Sequence, residues 1–174
     1  MKKIISFLLA AVLLVPCSGC TILYSDPPTV ESIDSFVTEH YEIITIVADY
    51  LLSFDSIDYQ YIFVNDNGKS LTLVWSSGKK PGGENFKIED DDVLKSIAVL
   101  RQKGCTYITK DSRNNVVTFE LWARIIGEAD CSFGCPIDPS KEPQIEFQTE
   151  IVPLSKENWY YLFSDYEEWR IISK

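Results

Sequence analysis

The fold is decided at residues 59–75, which read YQYIFVNDNGKSLTLVW. Two runs rich in β-branched and aromatic residues, Tyr59–Val64 and Ser70–Trp75, flank Asn67 and Gly68. An Asn-Gly pair between such runs is the strongest short signal for a β-hairpin, because both residues tolerate a positive φ. The stretch therefore predicts two antiparallel strands joined by a tight turn.

Amphipathic helices are predicted on both sides of this hairpin. From Thr29 to about Leu52, apolar residues recur at three- and four-residue steps with polar residues opposite them, which is the helical period. A second helix is expected to begin near Asp90, because Asp is favoured at the positive end of a helix. Gly104 is expected to end it.

The rest of the chain is expected to be mostly strand. Residues 76–83 and 127–143 are predicted to be loops, and Lys156–Phe163 admits a short helix as an alternative to a strand. The strand candidates are Cys105–Thr109 paired with Val116–Trp122, then Gln144–Ile151, Asn158–Phe163 and Trp169–Ile172. Together these elements predict a single α+β domain over residues 29–174. Its architecture is expected to be a two-layer sandwich of about six largely antiparallel strands with two helices packed on one face.

The beginning of the chain has the features of a bacterial export signal. Lys2 and Lys3 precede an uncharged run, Ile4–Val15, that is too short to span a bilayer permanently, since a span needs roughly 20 residues. The segment closes on Ser18-Gly19-Cys20, which resembles the lipobox of bacterial lipoproteins, although Cys17 stands where that family usually has Leu.

This resemblance implies that residues 1–19 are a signal peptide and that Cys20 carries lipid. Residues 20–28 would then be a tether that holds the domain at the extracytoplasmic face of the cell membrane. Simple secretion and an uncleaved anchor are the alternatives.

The negative charge of the chain argues against polyanionic partners. The first 19 residues hold two of the 16 Lys and Arg and none of the 26 Asp and Glu, so the remainder has a net charge of −12. Nucleic acid and anionic lipid both attract Lys and Arg, so we expect neither to be held electrostatically.

The cysteines beyond Cys20 are interpreted through the compartment. Thiols outside the cytoplasm tend to oxidise, and Cys131 and Cys135 fall in a predicted loop, so we expect a local disulfide between them. Cys105 is expected to be a small buried residue. The spacing of these cysteines does not match a zinc site, and we expect no metal and no cofactor.

An aromatic cluster is the most distinctive feature of the later sequence. Its six members fall within eleven residues, and they are Trp159, Tyr160, Tyr161, Phe163, Tyr166 and Trp169. Consecutive residues of a strand point to opposite faces, so they cannot all face one core. We expect some of them, with Trp159, Tyr160, Tyr166 and Trp169 as candidates, to form an exposed patch for a sugar or a protein. The alternative is that they pack around the last strands.

The segments Leu154–Tyr161 and Tyr166–Arg170 make the globular part similar to small bacterial lipoproteins without an assigned activity. This resemblance implies a compartment and no mechanism. The leading hypothesis is a non-catalytic binding or interaction module, held to the membrane by its lipid, with a glycan or an envelope protein as partner. The alternatives are a carboxylate-dependent hydrolase of cell-wall or glycan substrates and a structural spacer in an envelope complex.

Overall fold

The computed structural model describes residues 26–55, 59–75, 83–124 and 128–174. The predicted signal peptide and Cys20 lie outside the described residues. The described residues form four helices and eight strands. In chain order these are α1 (Val30–Glu39), α2 (Tyr41–Leu52), β1 (Tyr59–Val64), β2 (Ser70–Trp75), β3 (Gly83–Lys87), α3 (Asp91–Gln102), β4 (Tyr107–Asp111), β5 (Val116–Arg124), β6 (Ala129–Pro136), β7 (Gln148–Pro153), β8 (Tyr160–Asp165) and α4 (Tyr166–Ile172).

The strands form a single antiparallel sheet in the order β3-β2-β1-β4-β5-β6-β8-β7. The predicted hairpin is confirmed as β1 and β2, with Val64 opposite Leu71 and Gly68 at a φ of +64° in the turn. The second predicted hairpin is confirmed as β4 and β5. Mixed α and β composition and antiparallel pairing are thus as predicted, but about six strands and two helices were too few.

The predicted first helix is divided in two at His40. His40 has a φ of −109° and a ψ of 16°, outside the helical region, and its imidazole packs edge-on against Phe36 with ring centroids 4.7 Å apart. The break lets each half turn its own apolar stripe toward the sheet. Ile33 and Val37 are buried in α1, and Ile44 is buried in α2.

Helix α3 follows its sequence signals closely. The Asp90 carboxylate caps the N-terminus by accepting hydrogen bonds from the backbone N–H groups of Asp92 and Val93, at 2.9 and 3.1 Å. Gly104 follows the helix with a φ of +100°, a conformation that residues with a Cβ avoid. Val93, Ile97 and Leu100 belong to the core, and the contacts of α3 are chiefly with α2.

Three sequence predictions in the second half are wrong. The predicted loop 127–143 contains β6, which lies between β5 and β8 and pairs with both. The predicted strand Gln144–Ile151 begins only at Gln148, because Phe147 has a φ of +54° and interrupts the extended backbone. The predicted strand Trp169–Ile172 belongs to α4, since the Asp165 carboxylate accepts from two backbone N–H groups and starts a helix there.

The core lies between one face of the sheet and helices α1 to α3. It is apolar apart from a few groups, of which the largest is Lys110 of β4, a fully buried side chain whose ammonium donates a hydrogen bond to the Phe54 carbonyl. Burial lowers the pKa of Lys110. Among the described residues, no helix has the length and apolarity needed to cross a bilayer.

Candidate functional site

Strand alternation gives the sheet two contrasting faces. On β5, Val117 and Phe119 are buried under the helices, while Thr118 and Glu120 point the other way. The same parity places Ser132 of β6 beside Glu120, since the two residues are directly opposite in the register. We call the surface that lies opposite α1 to α3 the open face.

A groove of about 520 Å³ lies on the open face. Strands β1, β4, β5 and β6 form its floor, and Ile145 and Glu146, from the segment between β6 and β7, form part of its wall. The floor includes Tyr61, Tyr107, Thr109, Asp111, Thr118, Glu120, Asp130 and Ser132.

The side of the groove formed by β1 and β4 is aromatic. Tyr107 and Phe63 stack with ring centroids 6.2 Å apart, and Phe63 contacts Tyr61 at 5.9 Å. Burial is the main reason why the pKa of the Tyr61 hydroxyl is raised, and the neighbouring Tyr107 raises it further. This phenol therefore stays protonated throughout the physiological range. Tyr107 is 36% exposed, so part of its ring is accessible from the groove.

The middle of the floor is made of hydroxyl groups. Thr109 and Thr118 are directly opposite on β4 and β5, and their Oγ1 atoms form a hydrogen bond of 2.8 Å. Ser132 lies on the next strand. Each hydroxyl can both donate and accept, which suits a ligand that presents hydroxyls of its own.

Two carboxylates lie on the β5–β6 side of the groove, and one of them, Glu120, is directly opposite Tyr107 in the strand register. Glu120 accepts a hydrogen bond of 2.6 Å from the Thr106 hydroxyl, and Asp130 accepts one from the Ser164 hydroxyl. Partial burial raises the pKa of both carboxyls, and the charge of Asp130 adds to the rise at Glu120. Both groups are therefore short of solvation, and a donor or a cation brought by a ligand would relieve it.

A third carboxylate in the groove is already occupied. Asp111 accepts from the Arg113 backbone N–H at 2.9 Å and from the Asn114 side-chain amide at 2.9 Å, and the Arg113 guanidinium lies 3.4 Å away. These contacts shape the β4–β5 turn at the groove margin. Asp111 is thus a structural group rather than a free ligand contact.

The disulfide predicted between Cys131 and Cys135 is not formed. Both thiols are free. The two residues lie on the same strand, where a separation of four positions spans about 13 Å. A disulfide needs Cα atoms within about 7 Å, so the strand excludes it. Burial raises the pKa of Cys131 to about 11 and that of Cys135 to about 12. Cys105 is buried as expected.

The four aromatic patch candidates do not lie together. Trp159 is only 5% exposed and packs against Phe119 and Phe133 on the helix side, so it belongs to the core and not to a patch. Tyr160 is half-buried in β8 and pairs with Gly134. Tyr166 and Trp169 stack on each other at 6.3 Å in α4.

The groove was not recognised in the sequence because part of its floor comes from β6. The alternation of β4 and β5, together with the hairpin register, places Tyr107 opposite Glu120 and Thr109 opposite Thr118, and this parity is readable from the sequence. Asp130 and Ser132 carried no such signal, since their strand was predicted to be a loop.

In the parts of the chain that the structure describes, no group of three or more His, Cys, Asp or Glu side chains is arranged to hold a metal ion. No protein-family model matches the sequence, and no curated protein or solved structure matches the chain significantly.

Proposed function

We propose that this chain is a lipid-anchored, extracytoplasmic binding module without catalytic activity, and that the groove on the open face is its ligand site. The observation that supports this most directly is the combination within one groove of an exposed ring, Tyr107, a row of hydroxyls and two carboxylates short of solvation. Small-ligand sites commonly combine a concave, partly apolar surface with a few convergent polar groups.

The chemistry of the lining fits a polyhydroxylated ligand such as a glycan. A sugar ring presents an apolar face that can stack on Tyr107 and hydroxyl edges that can bond to Thr109, Thr118 and Ser132. Glu120 and Asp130 can accept hydrogen bonds from sugar hydroxyls or amines, and such charge-assisted bonds are among the stronger ones in proteins.

Hydrolysis is the second candidate, and one observation favours it. Glu120 and Asp130 open into the same groove, and a raised pKa suits a general acid. An acid–base pair, however, works best when the environment separates the two pKa values, with one carboxyl protonated and the other ionised. Here burial raises both in the same direction, which supports binding over hydrolysis.

A matched pair of tyrosine variants tests the groove. Tyr107 is 36% exposed on the open face, and Tyr41 is 37% exposed on the helix side. We expect Tyr107→Ala to weaken binding of a soluble N-acetylglucosamine oligosaccharide by roughly tenfold, as a stacked ring contributes about 1 kcal/mol or more. Tyr41→Ala should bind as the wild type does, and isothermal titration calorimetry would measure both.

Equal affinities for the two variants would contradict the groove as the site. Hydrolysis of the oligosaccharide by the wild type, lost in Glu120→Gln, would favour the second candidate.

A further inference from the structure

An exposed apolar edge lies on α4, whose residues are not part of the groove lining. Ile171 is 75% exposed and Ile172 is 60% exposed, and Tyr166 beside them is 39% exposed. Trp169 stacks on Tyr166 at 6.3 Å, and Arg170 lies over the Tyr166 ring at 5.7 Å. Isoleucine, tryptophan, tyrosine and a long cationic side chain are the composition of elements that rest at a membrane–water interface.

This edge is held firmly on the domain. The Phe147 ring lies 4.8 Å from the Tyr166 ring and 5.4 Å from the Trp169 ring, both edge-on. Phe147 has a φ of +54°, which is rare for a bulky residue and is kept only where packing requires it. The Tyr166 N–H also donates to the Glu128 carbonyl at 2.9 Å, so the start of α4 is fixed to the beginning of β6.

The chain enters the domain at the same end of β6. The Pro28 carbonyl lies 3.8 Å from the Cys131 Sγ atom. Ala129, two residues before Cys131 and therefore about 7 Å away along the strand, pairs with Asp165, the residue that caps α4. Pro28 and α4 thus lie at the same end of the sheet.

The distance from Pro28 to Cys20 decides which end of the domain meets the membrane. Eight residues span at most about 29 Å when fully extended. A compact domain over residues 29–174 has a radius of gyration of about 15 Å, which corresponds to a diameter of about 38 Å. A lipid on Cys20 therefore cannot hold the far end of the domain at the bilayer, and the end with Pro28 and α4 is the end that it can bring there.

We propose that α4 docks on the bilayer surface, with Ile171 and Ile172 entering the interface and Tyr166 and Trp169 at headgroup level. This rests on the lipid anchor of the proposed function. Glu167 and Glu168 lie on the same helix and disfavour anionic lipid, so the surface that suits α4 is zwitterionic. Docking sets the orientation of the domain relative to the membrane.

Site-specific fluorescence tests the docking. The lipidated full chain is reconstituted into phosphatidylcholine vesicles with brominated acyl chains, and it carries an environment-sensitive dye at Ser173→Cys, next to the two isoleucines. The three cysteines at 105, 131 and 135 are buried and stay unlabelled in the folded protein. The matched control is Glu142→Cys, an exposed position beyond the opposite end of β6.

We expect the dye at position 173 to shift to the blue and to be quenched by bromine, and the dye at position 142 to do neither. Ile172→Ser in the Ser173→Cys background should lower the ratio of docked to undocked protein roughly tenfold, since an isoleucine side chain leaves the interface. Its melting temperature should not change, because Ile172 is exposed.

Three results would overturn the docking. The first is a dye at 173 that stays water-like while the protein remains on the vesicles. The second is an equal shift at both positions, and the third is a shift without vesicles that grows with protein concentration, which would indicate a second copy. Failure of the anchor itself is distinguishable, because acyl labelling would then survive in Cys20→Ala or be missing from the wild type.

Discussion

Ser132 and Phe133 are neighbours in β6, yet they lie in two different environments. Phe133 points to the helices and stacks in parallel on Phe119, with ring centroids 5.1 Å apart, while Phe36 and Trp159 also contact it. Ser132 points to the groove on the open face. One strand thus serves stability on one side and binding on the other, because successive residues of an extended chain face opposite sides.

The difference between the two faces of the sheet predicts which property each substitution should change. Changes on the helix side remove packing and should alter the free energy of unfolding. Changes on the open face should alter ligand binding and pH dependence while the fold persists.

The largest effect is expected from Phe133→Ala. Removing a fully buried ring at the centre of three aromatic contacts should lower the free energy of unfolding by about 3–5 kcal/mol. Ser132→Ala is the matched neighbour and should change it by no more than about 1 kcal/mol. Guanidinium unfolding followed by circular dichroism measures both, and comparable losses in the two variants would contradict the division of faces.

A medium effect is expected at the thiols of the helix side. Cys131→Ala removes a fully buried sulfur and its contact with the Pro28 carbonyl, and it should lower the free energy of unfolding by about 1–3 kcal/mol. In the folded wild type, Cys105, Cys131 and Cys135 should resist alkylation because burial keeps them protonated and inaccessible.

A reducing agent provides the control for the thiols. Because none of the three is bonded, reduction should leave both the labelling and the melting temperature unchanged. If mass spectrometry finds two fewer reactive thiols in the unreduced, denatured protein than in the reduced, denatured protein, two of the cysteines form a disulfide after all.

The parts of the fold that were predictable carry their signals locally. Asn67-Gly68 specifies the first turn, and Asp90 and Gly104 specify the two ends of α3, all within a few residues of the elements they define. Each of these signals is a backbone requirement that a particular side chain meets.

The parts that were not predictable depend on distant partners. β6 contains Gly134 and ends at Pro136, so its own sequence favours a loop, and it is a strand because β5 and β8 pair with both of its edges. A Cβ at Gly134 would lie 2.3 Å from the Val117 carbonyl oxygen, so the glycine allows close approach of β5. The groove shares this dependence, since Asp130 and Ser132 reach it only through those pairings.

The smallest effect, and the one with a distinctive sign, is expected from the two carboxylates of the open face. Burial raises the pKa of Glu120 and Asp130 above the values of the unfolded chain, so the folded state binds more protons than the unfolded state between the two. Their ionisation therefore destabilises the fold at neutral pH. The penalty should disappear as the pH falls through the raised pKa values and be gone below the unfolded values of about 4.

The double variant Glu120→Gln/Asp130→Asn should consequently be slightly more stable than the wild type at pH 7, by less than about 1 kcal/mol, since the amide oxygens can keep the bonds from Thr106 and Ser164. At pH 4.5, close to the unfolded pKa values, most of the difference should be gone, as the wild type gains what the variant already has. Asp138 acts in the opposite sense: the Ser140 hydroxyl and Lys141 hold its pKa at about 2, so its contribution is lost only below about pH 4, outside this window. Urea unfolding of both proteins at the two pH values measures the difference. A wild type that is the more stable of the two at pH 7 would mean that these carboxylates strengthen the fold, and the open face would then no longer be the side reserved for binding.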